Sequence, residues 1–495
     1  MEIPVIVGVG ELIDRPSDLR TAREPLALMA AALRAAEGDA GTALVRQVDS
    51  LDIINEISWP YPDPAAQLCA LLEIAPARAV YGPVGGQTPL KAIHEAALAI
   101  ARGAVSVAAV CGAEAESSVR RAQREGITLP WQPRVEDFHP VRGADFQRPL
   151  SVRLGIASPV AVYPLYENAT RAAWGLSFAE AQAESGLIWS NNASVAAARE
   201  TAWTRRDITP AGVVTPSPDN RLIAWPYTKL MTANPMVNQG AAVILTSLAN
   251  ARRLGIAEDR CIFPWGGGAA DEARDIMLRP GYTESTAMRF SLDRAAGLLA
   301  ASSRSRFDLV ELYSCFPCVP KMARRVLGLA AEQPLSVTGG LTFFGAPLNN
   351  YMAHATVAMV RALRAGRGAT GLLYGQGEYV TKHHSLVLGT TPPAAPLDPD
   401  YRQPEPAPEA PPILDHYEGD AAIESFTVLY HRDGAARHGV VIARTPRGER
   451  LMARVPASDA SGIAFLESTE GTPVGALGHV ATAADGIGEW RRADG

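Results

Sequence analysis

The sequence predicts an α/β protein with a duplicated βα core, a long insertion between the two halves and a small all-β domain at the C-terminus. Three observations carry that prediction. Apolar runs of strand length alternate with helically spaced segments through the first part of the chain, the pattern of strands joined by crossover helices. Two distant segments, one opening at Gly85 and one at Gly345, follow the same plan. A proline-rich seam then separates this alternation from short strand-like runs bounded by glycine turns.

Val5–Val9 reads as a strand, Pro25 to Ala36 has helical spacing, Leu51–Ile54 is a strand and Pro64 to Glu73 is helical. The first repeated segment runs from Gly85-Gly86-Gln87-Thr88-Pro89, through helical Leu90 to Arg102, into the strand Val105–Val110 and Gly112. The second runs from Gly345-Ala346-Pro347, through helical Asn350 to Arg364, into the strand Gly371–Tyr374 and Gly375. In each, a proline stands near the first helical turn, where its missing N–H would be unpaired anyway. Two readings are open: a duplicated βα unit, or two ordinary βα units with similar turns. Between them, Glu114 to about Met231 reads as loops and helices, with Leu187-Ile188-Trp189, Pro216–Asn220 and Trp225-Pro226-Tyr227. Long connections inside α/β cores usually serve as lids or binding loops.

From Pro392 to Pro412 the composition turns to Pro, Ala, Glu and Asp, which reads as an extended spacer with too little apolar surface to order itself. Beyond it, Ile423 to Tyr430, Gly439 to Arg444 and Glu449 to Val455 have strand length, separated by Arg432-Asp433-Gly434 and Pro446-Arg447-Gly448. They suggest a small barrel of OB type, with another small all-β module as the alternative. The resulting division is 1–114 and 266–390 for the two core halves, 115–265 for the insertion with part of the core, 391–413 for the linker and 414–495 for the β domain.

The 495 residues are 47% apolar and 20% charged, so a globular protein with a sizeable core is expected. Lysine and arginine number 46 against 52 acidic residues, a formal charge of −6. That excludes nucleic acid as the main partner, because phosphate-neutralising surfaces carry a basic excess. Five cysteines, Cys69, Cys111, Cys261, Cys315 and Cys318, do not make a disulfide framework. The chain opens directly on a strand-like run without a signal-peptide pattern, and Ala104 to Val110 is too short to span a bilayer. A reducing cytoplasm and no membrane partner are the expectations.

Five blocks in order resemble the thiolases and the wider thiolase superfamily. The first is Gly86-Gln87-Thr88-Pro89-Leu90 followed by Cys111-Gly112-Ala113-Glu114, similar to the cysteine turn and the G-G-x-E strand. Asn238-Gln239-Gly240-Ala241-Ala242 resembles the N-x-D-G-A-A motif, and Tyr313-Ser314-Cys315-Phe316 the N-E-A-F or H-D-C-F block. Gly339-Gly340 with Gly345-Ala346-Pro347 is similar to the G-H-P block, and Tyr374-Gly375-Gln376-Gly377 falls at C-x-G. The resemblance covers about residues 1–390. It implies a duplicated, layered αβαβα core with an inserted loop domain, and CoA or acyl-CoA as ligand rather than a tightly bound cofactor. It also implies a dimer paired near Val80 to Gly85, unless the added C-terminal domain covers that surface and leaves a monomer.

The departures bear on the chemistry. Gly86 stands at the position of the nucleophilic cysteine and Ala346 at that of the G-H-P histidine, while the C-x-G cysteine falls on Tyr374 or a neighbouring glycine. Thiolysis needs an activated thiolate and a proton acceptor near the substrate α-carbon. The expectation is therefore an acyl-CoA-binding protein that is not a standard cysteine-dependent thiolase: an atypical acyltransferase or carbon–carbon bond-forming or bond-cleaving enzyme of lipid or steroid acyl-CoA metabolism. A retro-aldolase on a β-hydroxyacyl-CoA using Tyr313 is one alternative. A non-catalytic CoA-binding or scaffolding subunit is the other.

Tyr313, beside the thioester in the resemblance, can donate to an oxyanion or act as an acid or base; the alternative is a packed aromatic with a satisfied hydroxyl. His354, one helical turn beyond the former G-H-P site with Tyr351, is the second catalytic candidate. Arg221, Lys229 and Arg120 are candidates for CoA phosphates, with Asn238, Gly375 and Gly377 also expected around CoA. Lys382-His383-His384 reads as a solvated loop. Cys111 is expected as a small buried hydrophobe. Cys315 and Cys318 form a C-x-x-C without a second pair to complete a metal site, so they are read as structural and no metal is expected.

Overall fold

The computed structural model describes residues 2–403 and 409–493. The first sheet is built in the order Pro4–Ile13, Asn238–Ser247, Val107–Ala115, Ser50–Ile53 and Arg78–Tyr81. The first two junctions are antiparallel and the last two parallel. The second sheet repeats this plan: Phe263–Gly266 and Lys382–Gly389 are antiparallel, as are Lys382–Gly389 and Thr370–Gly377, and Thr370–Gly377 is parallel to Leu309–Leu312. The same order and senses in both sheets make the core a duplication.

Helices Thr88–Ala101 and Tyr351–Arg364 lie between the sheets and touch strands of both. This explains their composition. In the second, every side chain except Arg361 and Arg364 is buried, so it is apolar on all faces instead of carrying one stripe. Pro25–Ala40 covers the outer face of the first sheet and Thr286–Ala301 that of the second, completing five αβαβα layers. Gly8 and Gly10 permit the closest approach on the first face, since a β-carbon on either would strike the Ala36 or Ala32 carbonyl of the covering helix.

In the second half, a short turn joins Thr370–Gly377 to Lys382–Gly389. In the first half, the equivalent connection holds the insertion, with helices Glu116–Glu125, Pro159–Ala173 and Phe178–Ala197. The insertion is therefore a much enlarged version of that turn, placed at the same end of the core.

The C-terminal strands Gly419–Tyr430, Ala436–Arg444, Arg450–Pro456, Leu477–Thr482 and Gly488–Arg492 close a small barrel. The third pairs in parallel with the fifth through Arg454 and Glu489, and the fourth returns to the first. Phe426, Val441, Leu451 and Trp490 belong to its own apolar core. Leu222–Ala224 of the insertion adds to the barrel edge by pairing Ala224 with Leu429, and helix Pro159–Ala173 packs beneath. Asn168 Nδ2 donates to the Phe426 carbonyl at 2.8 Å. Arg450 inserts a fully buried guanidinium that donates to the Met277 carbonyl at 2.8 Å and pairs with Glu424 at 2.8 Å.

Two expectations need correction. The proline-rich segment is not a free spacer throughout, because Leu397 and Tyr401 are buried against the core and Tyr401 donates to Glu95 at 3.0 Å. Two apolar side chains are enough to dock a segment whose prolines already limit its freedom. Pro404, Pro406 and Pro408 lie outside the described residues. Nor does the barrel cover the edge strand of the first sheet: it docks on the insertion, and Arg78, Ala79 and Val80 stay exposed.

Candidate active site

An inner cavity of about 650 Å³ opens where the two halves meet the insertion. Gly86 contributes from the turn before Thr88–Ala101, Tyr313 and Cys315 from the end of Leu309–Leu312, Ala346 from the second repeat, and Gly377 from the end of Thr370–Gly377. Most of the remaining lining is apolar, including Phe146, Val160, Phe316 and Leu341. Thus four sequence candidates, Gly86, Tyr313, Ala346 and Gly377, come together, although they are far apart in the chain.

The central relation is between Gly86 and Tyr313. A β-carbon on Gly86 would strike the Tyr313 hydroxyl, with Tyr313 Cζ at 2.7 Å and the Gln376 carbonyl oxygen at 2.5 Å. The phenol thus fills the space a side chain at position 86 would take. Burial, then the nearby Cys315, holds the phenol well above its ordinary pKa. At neutral pH it is a hydrogen-bond donor and not a phenolate.

A second replacement sits beside it. Gly377 faces the Gly86 turn, its side-chain position 3.2 Å from the Gly86 nitrogen. A β-carbon there would strike Gln87 Oε1, so the Gln87 amide fills this space. Asn349 holds the turn: its Oδ1 accepts from the Gly85 N–H at 2.9 Å, and its Nδ2 donates to the Asn55 carbonyl at 2.9 Å. Ala346, lacking an imidazole, contributes only apolar wall.

Cys315 was read as structural, yet it faces the cavity beside Tyr313. Gln376 Nε2 donates to its Sγ at 3.2 Å and to the Tyr163 hydroxyl at 2.6 Å. Burial pushes the thiol up to about 12, so it is protonated at neutral pH. The wall residue Glu378 is held by Arg274 and Lys382, each at 2.7 Å. Helices Thr88–Ala101 and Pro159–Ala173 both begin at the cavity without a side-chain cap bond. Pro89 and Pro159 carry no N–H and the Thr88 N–H donates to the Gly85 carbonyl at 3.1 Å, so these helices offer an oxyanion chiefly their positive ends.

An outer chamber of about 660 Å³ shares Ile57, Arg142 and Leu348 with the inner one. It carries Arg120, Arg134 and Arg142 against Glu116 and Glu136. Arg120 pairs with Glu116 at 2.6 Å and Arg134 lies over the Trp59 ring at 5.1 Å.

Other candidates fall elsewhere. His354 is fully buried and meets Glu11 at 3.1 Å, away from the cavity lining, because its helix turns that face into the core. Arg199 and Arg361 also hold Glu11, and despite its burial these partners bring the carboxyl down to about 2. Tyr351 donates to buried Glu311 at 2.7 Å. Arg221 donates to the Leu222 carbonyl at 3.0 Å, and Lys229 is exposed; neither lines either chamber. Asn238 ties Ser118 to the Asp14 carbonyl, both at 3.0 Å, and so is structural. Gly375 faces Met352 and the Gln87 backbone inside the core. Lys382-His383-His384 is not a loop but the start of a strand, with both histidines buried; His383 Nδ1 lies 2.7 Å from the Tyr374 hydroxyl. Cys111 is fully buried. Among the described residues, no group of three His, Cys, Asp or Glu side chains is placed to hold a metal ion, and no helix is long and apolar enough to cross a membrane.

Sequence reasoning missed Gln87, Gln376, Tyr163, Arg134 and Arg142. Gln87 and Gln376 sit inside motif blocks already noted, where their polarity beside glycines was the available signal. Tyr163 comes from the insertion, where no motif marked it.

Five layers, two matching sheets and a cavity at the repeated turns define a relative of the thiolase superfamily that carries an additional C-terminal domain. Residues 403–485 match the family described as the thiolase-like protein type 1 additional C-terminal domain. Over 99% of both chains, the structure is similar to a monomeric SCP2-thiolase like protein type 1 from Mycobacterium smegmatis, with 26% identity and a TM-score of 0.81. The fold is shared with the Ltp2-ChsH2(DUF35) aldolase at 19% identity, covering 78% of this chain and 98% of that one, TM-score 0.58. It is also shared with human mitochondrial 3-ketoacyl-CoA thiolase in complex with CoA, at 15% identity, 79% and 98% coverage and TM-score 0.57. No curated protein sequence matches the chain.

Proposed function

We propose that this protein binds acyl-CoA across the two chambers and makes or breaks a carbon–carbon bond in the acyl group without an acyl-enzyme at position 86. The observation that carries the reading is the Tyr313 hydroxyl in the space of the Gly86 side chain. The apolar inner cavity suits the acyl group, and the outer chamber, with Arg120, Arg134 and Arg142, suits the CoA phosphates in place of Arg221 and Lys229.

In the retro-aldol direction, a β-hydroxyacyl thioester in the inner cavity loses its hydroxyl proton to a water reaching it from the outer chamber. The Cα–Cβ bond breaks, Cβ becomes a carbonyl, and the electron pair enters the thioester as an enolate. Tyr313, held neutral, donates to the enolate oxygen, helped by the positive ends of the two helices. The proton that water took from the hydroxyl returns at Cα, which balances the reaction and releases the shorter acyl-CoA.

The C-terminal barrel, read as OB-type from its parallel third and fifth strands, fixes helix Pro159–Ala173 and with it Tyr163. A role in lipid acyl-CoA metabolism and a reducing cytoplasmic home suit the apolar cavity and the five free cysteines. The open edge strand Arg78–Tyr81 leaves pairing of two copies available, and light scattering decides between monomer and dimer.

Isothermal titration with CoA and acetyl-CoA tests the shared premise; no binding at millimolar ligand would sink it. Product analysis with 3-hydroxyacyl-CoA substrates then separates an aldolase from a silent binding subunit.

A further inference from the structure

A third cavity, of about 260 Å³, lies on the opposite face of helix Glu116–Glu125 from the outer chamber. Ser117, Ser118 and Arg121 line it, whereas Glu116, Arg120 and Gln123 line the outer chamber. Arg15, Trp203 and Asn238 add to its wall, and among the described residues no carboxylate lines it. Both arginines are fixed by carbonyl oxygens. Arg15 Nη2 donates to the Ala202 carbonyl at 2.8 Å and to that of Trp203, and its guanidinium lies over the Trp203 ring at 4.9 Å. Arg121 donates to the Pro16 carbonyl at 3.1 Å and the Ser17 carbonyl at 3.2 Å, and its Nε donates to Glu125 at 2.8 Å. A carbonyl orients a guanidinium without cancelling its charge.

Arg121 is compensated in part, by Glu125 and by nearby Asp18. Arg15 is not: burial and then the charge of Arg205, another cation, bring it below its ordinary value. The first helical amides are spent, since the Ser117 N–H donates to the Val237 carbonyl at 3.2 Å and the Ser118 N–H to Asn238 Oδ1 at 3.0 Å. The hydroxyls remain. Buried Ser118 Oγ accepts from Asn238 Nδ2 at 3.0 Å, which leaves its O–H to donate, and Ser117 brings a second hydroxyl. The wall therefore offers positive charge and donors, while the carbonyls beside it are taken up by the two arginines. We propose that this cavity binds a tetrahedral phosphoryl anion, inorganic phosphate or a phosphate monoester, gripped by Arg15, Arg121 and the two serine hydroxyls. A phosphoryl group suits the set because its several oxygens accept from more than one donor at once, and charge-assisted bonds of this kind are the strong ones. The site is separate from the acyl-CoA reading and does not depend on it.

The test is isothermal titration of the full-length protein, Arg15→Gln and Ser117→Asp with inorganic phosphate and with glycerol 3-phosphate, the ionic strength matched with chloride. The wild type is expected to bind one or both at millimolar concentration or below, and the tighter of the two names the occupant as free anion or ester. Arg15→Gln, whose amide can still reach the Ala202 carbonyl, weakens binding by about tenfold or more, the range of a hydrogen bond to a charged group. Ser117→Asp suits a first helical turn but puts a carboxylate in the cavity wall, and it abolishes binding. Because the outer chamber also carries arginines, these two variants locate the heat. Melts without ligand report that both fold, and Ser117→Asp decides alone if Arg15→Gln does not. No binding of either probe at millimolar ligand, or wild-type affinity in Ser117→Asp, overturns the proposal.

Discussion

The Tyr313 hydroxyl lies where the first side-chain atom of any residue larger than glycine at position 86 would have to sit. Room for a side chain at position 86 and the phenol of Tyr313 are therefore mutually exclusive, and changing one alone leaves a clash or a void.

Gly86→Cys is accordingly expected not to restore thiolysis of acetoacetyl-CoA. The new side chain competes with Tyr313 and the Gln376 carbonyl for the same space, which costs about 1–3 kcal/mol of stability as overpacking. In Gly86→Cys with Tyr313→Ala that loss shrinks, giving non-additive denaturant unfolding energies. Additive energies would mean that the two positions do not share space.

Tyr313→Phe is expected to lower cleavage of a 3-hydroxyacyl-CoA by about 100-fold or more, the usual weight of a positioned proton donor. Binding of CoA should hold, since the ring and its packing remain. An unchanged rate in a chromatographic product assay would remove Tyr313 from the mechanism.

Cys315 is expected to be slow to alkylate near neutral pH. Burial pushes its pKa up to about 12, so thiolate rises about tenfold per pH unit below that value. Iodoacetamide labelling followed by peptide mass spectrometry should show this slope between pH 7 and about 9. Cys315→Ser should keep carbon–carbon cleavage; its complete loss would point to an acyl-enzyme at this cysteine.

Glu56 and Glu114 predict a stability that falls with rising pH. Burial first raises the folded pKa of both, helped by Glu114 beside Glu56 and by Glu116 beside Glu114, which reaches about 8. The folded state then holds a proton that the unfolded chain loses above about 4.5, and stability drops from there until pH passes the folded value. Thermal melts from pH 7 to pH 9, above the range in which the buried His94, His383 and His384 give the opposite slope, should show the decline, and Glu56→Gln, which removes one charge and keeps the shape, should flatten it. The same slope in both proteins would rule the pair out.

Arg450→Met should loosen the barrel. It leaves Glu424 with only Arg444, and the Met277 carbonyl without its donor, a loss of about 3–5 kcal/mol for one partner of a buried pair. Denaturant unfolding and faster limited proteolysis between core and barrel check this. Wild-type behaviour in both would show that docking does not depend on the guanidinium.

Much of this architecture was legible in the chain. The repeated turn–helix–strand segments at Gly85 and Gly345 and the ordered motif blocks located both core halves, because local periodicity and turn chemistry fix elements. They also marked Gly86, Ala346, Tyr313 and Gly377, which the fold brings into one cavity. His354 went astray because spacing along a helix gives a face but not what that face meets; here it meets Glu11. Leu397 and Tyr401 were hidden because proline content outweighs two buried side chains in any reading of composition.

By itself the sequence determined the layered α/β class, the separate β domain and the absence of a side chain at position 86, since these are local or compositional facts. Tertiary structure alone decided what fills the space beside position 86, that Cys315 faces the cavity and that Gln87 Oε1 has no partner among the described residues. Each of those is a contact between strand ends distant in the chain, set by how the duplicated sheets pack around two buried helices and by no property of the residues taken singly.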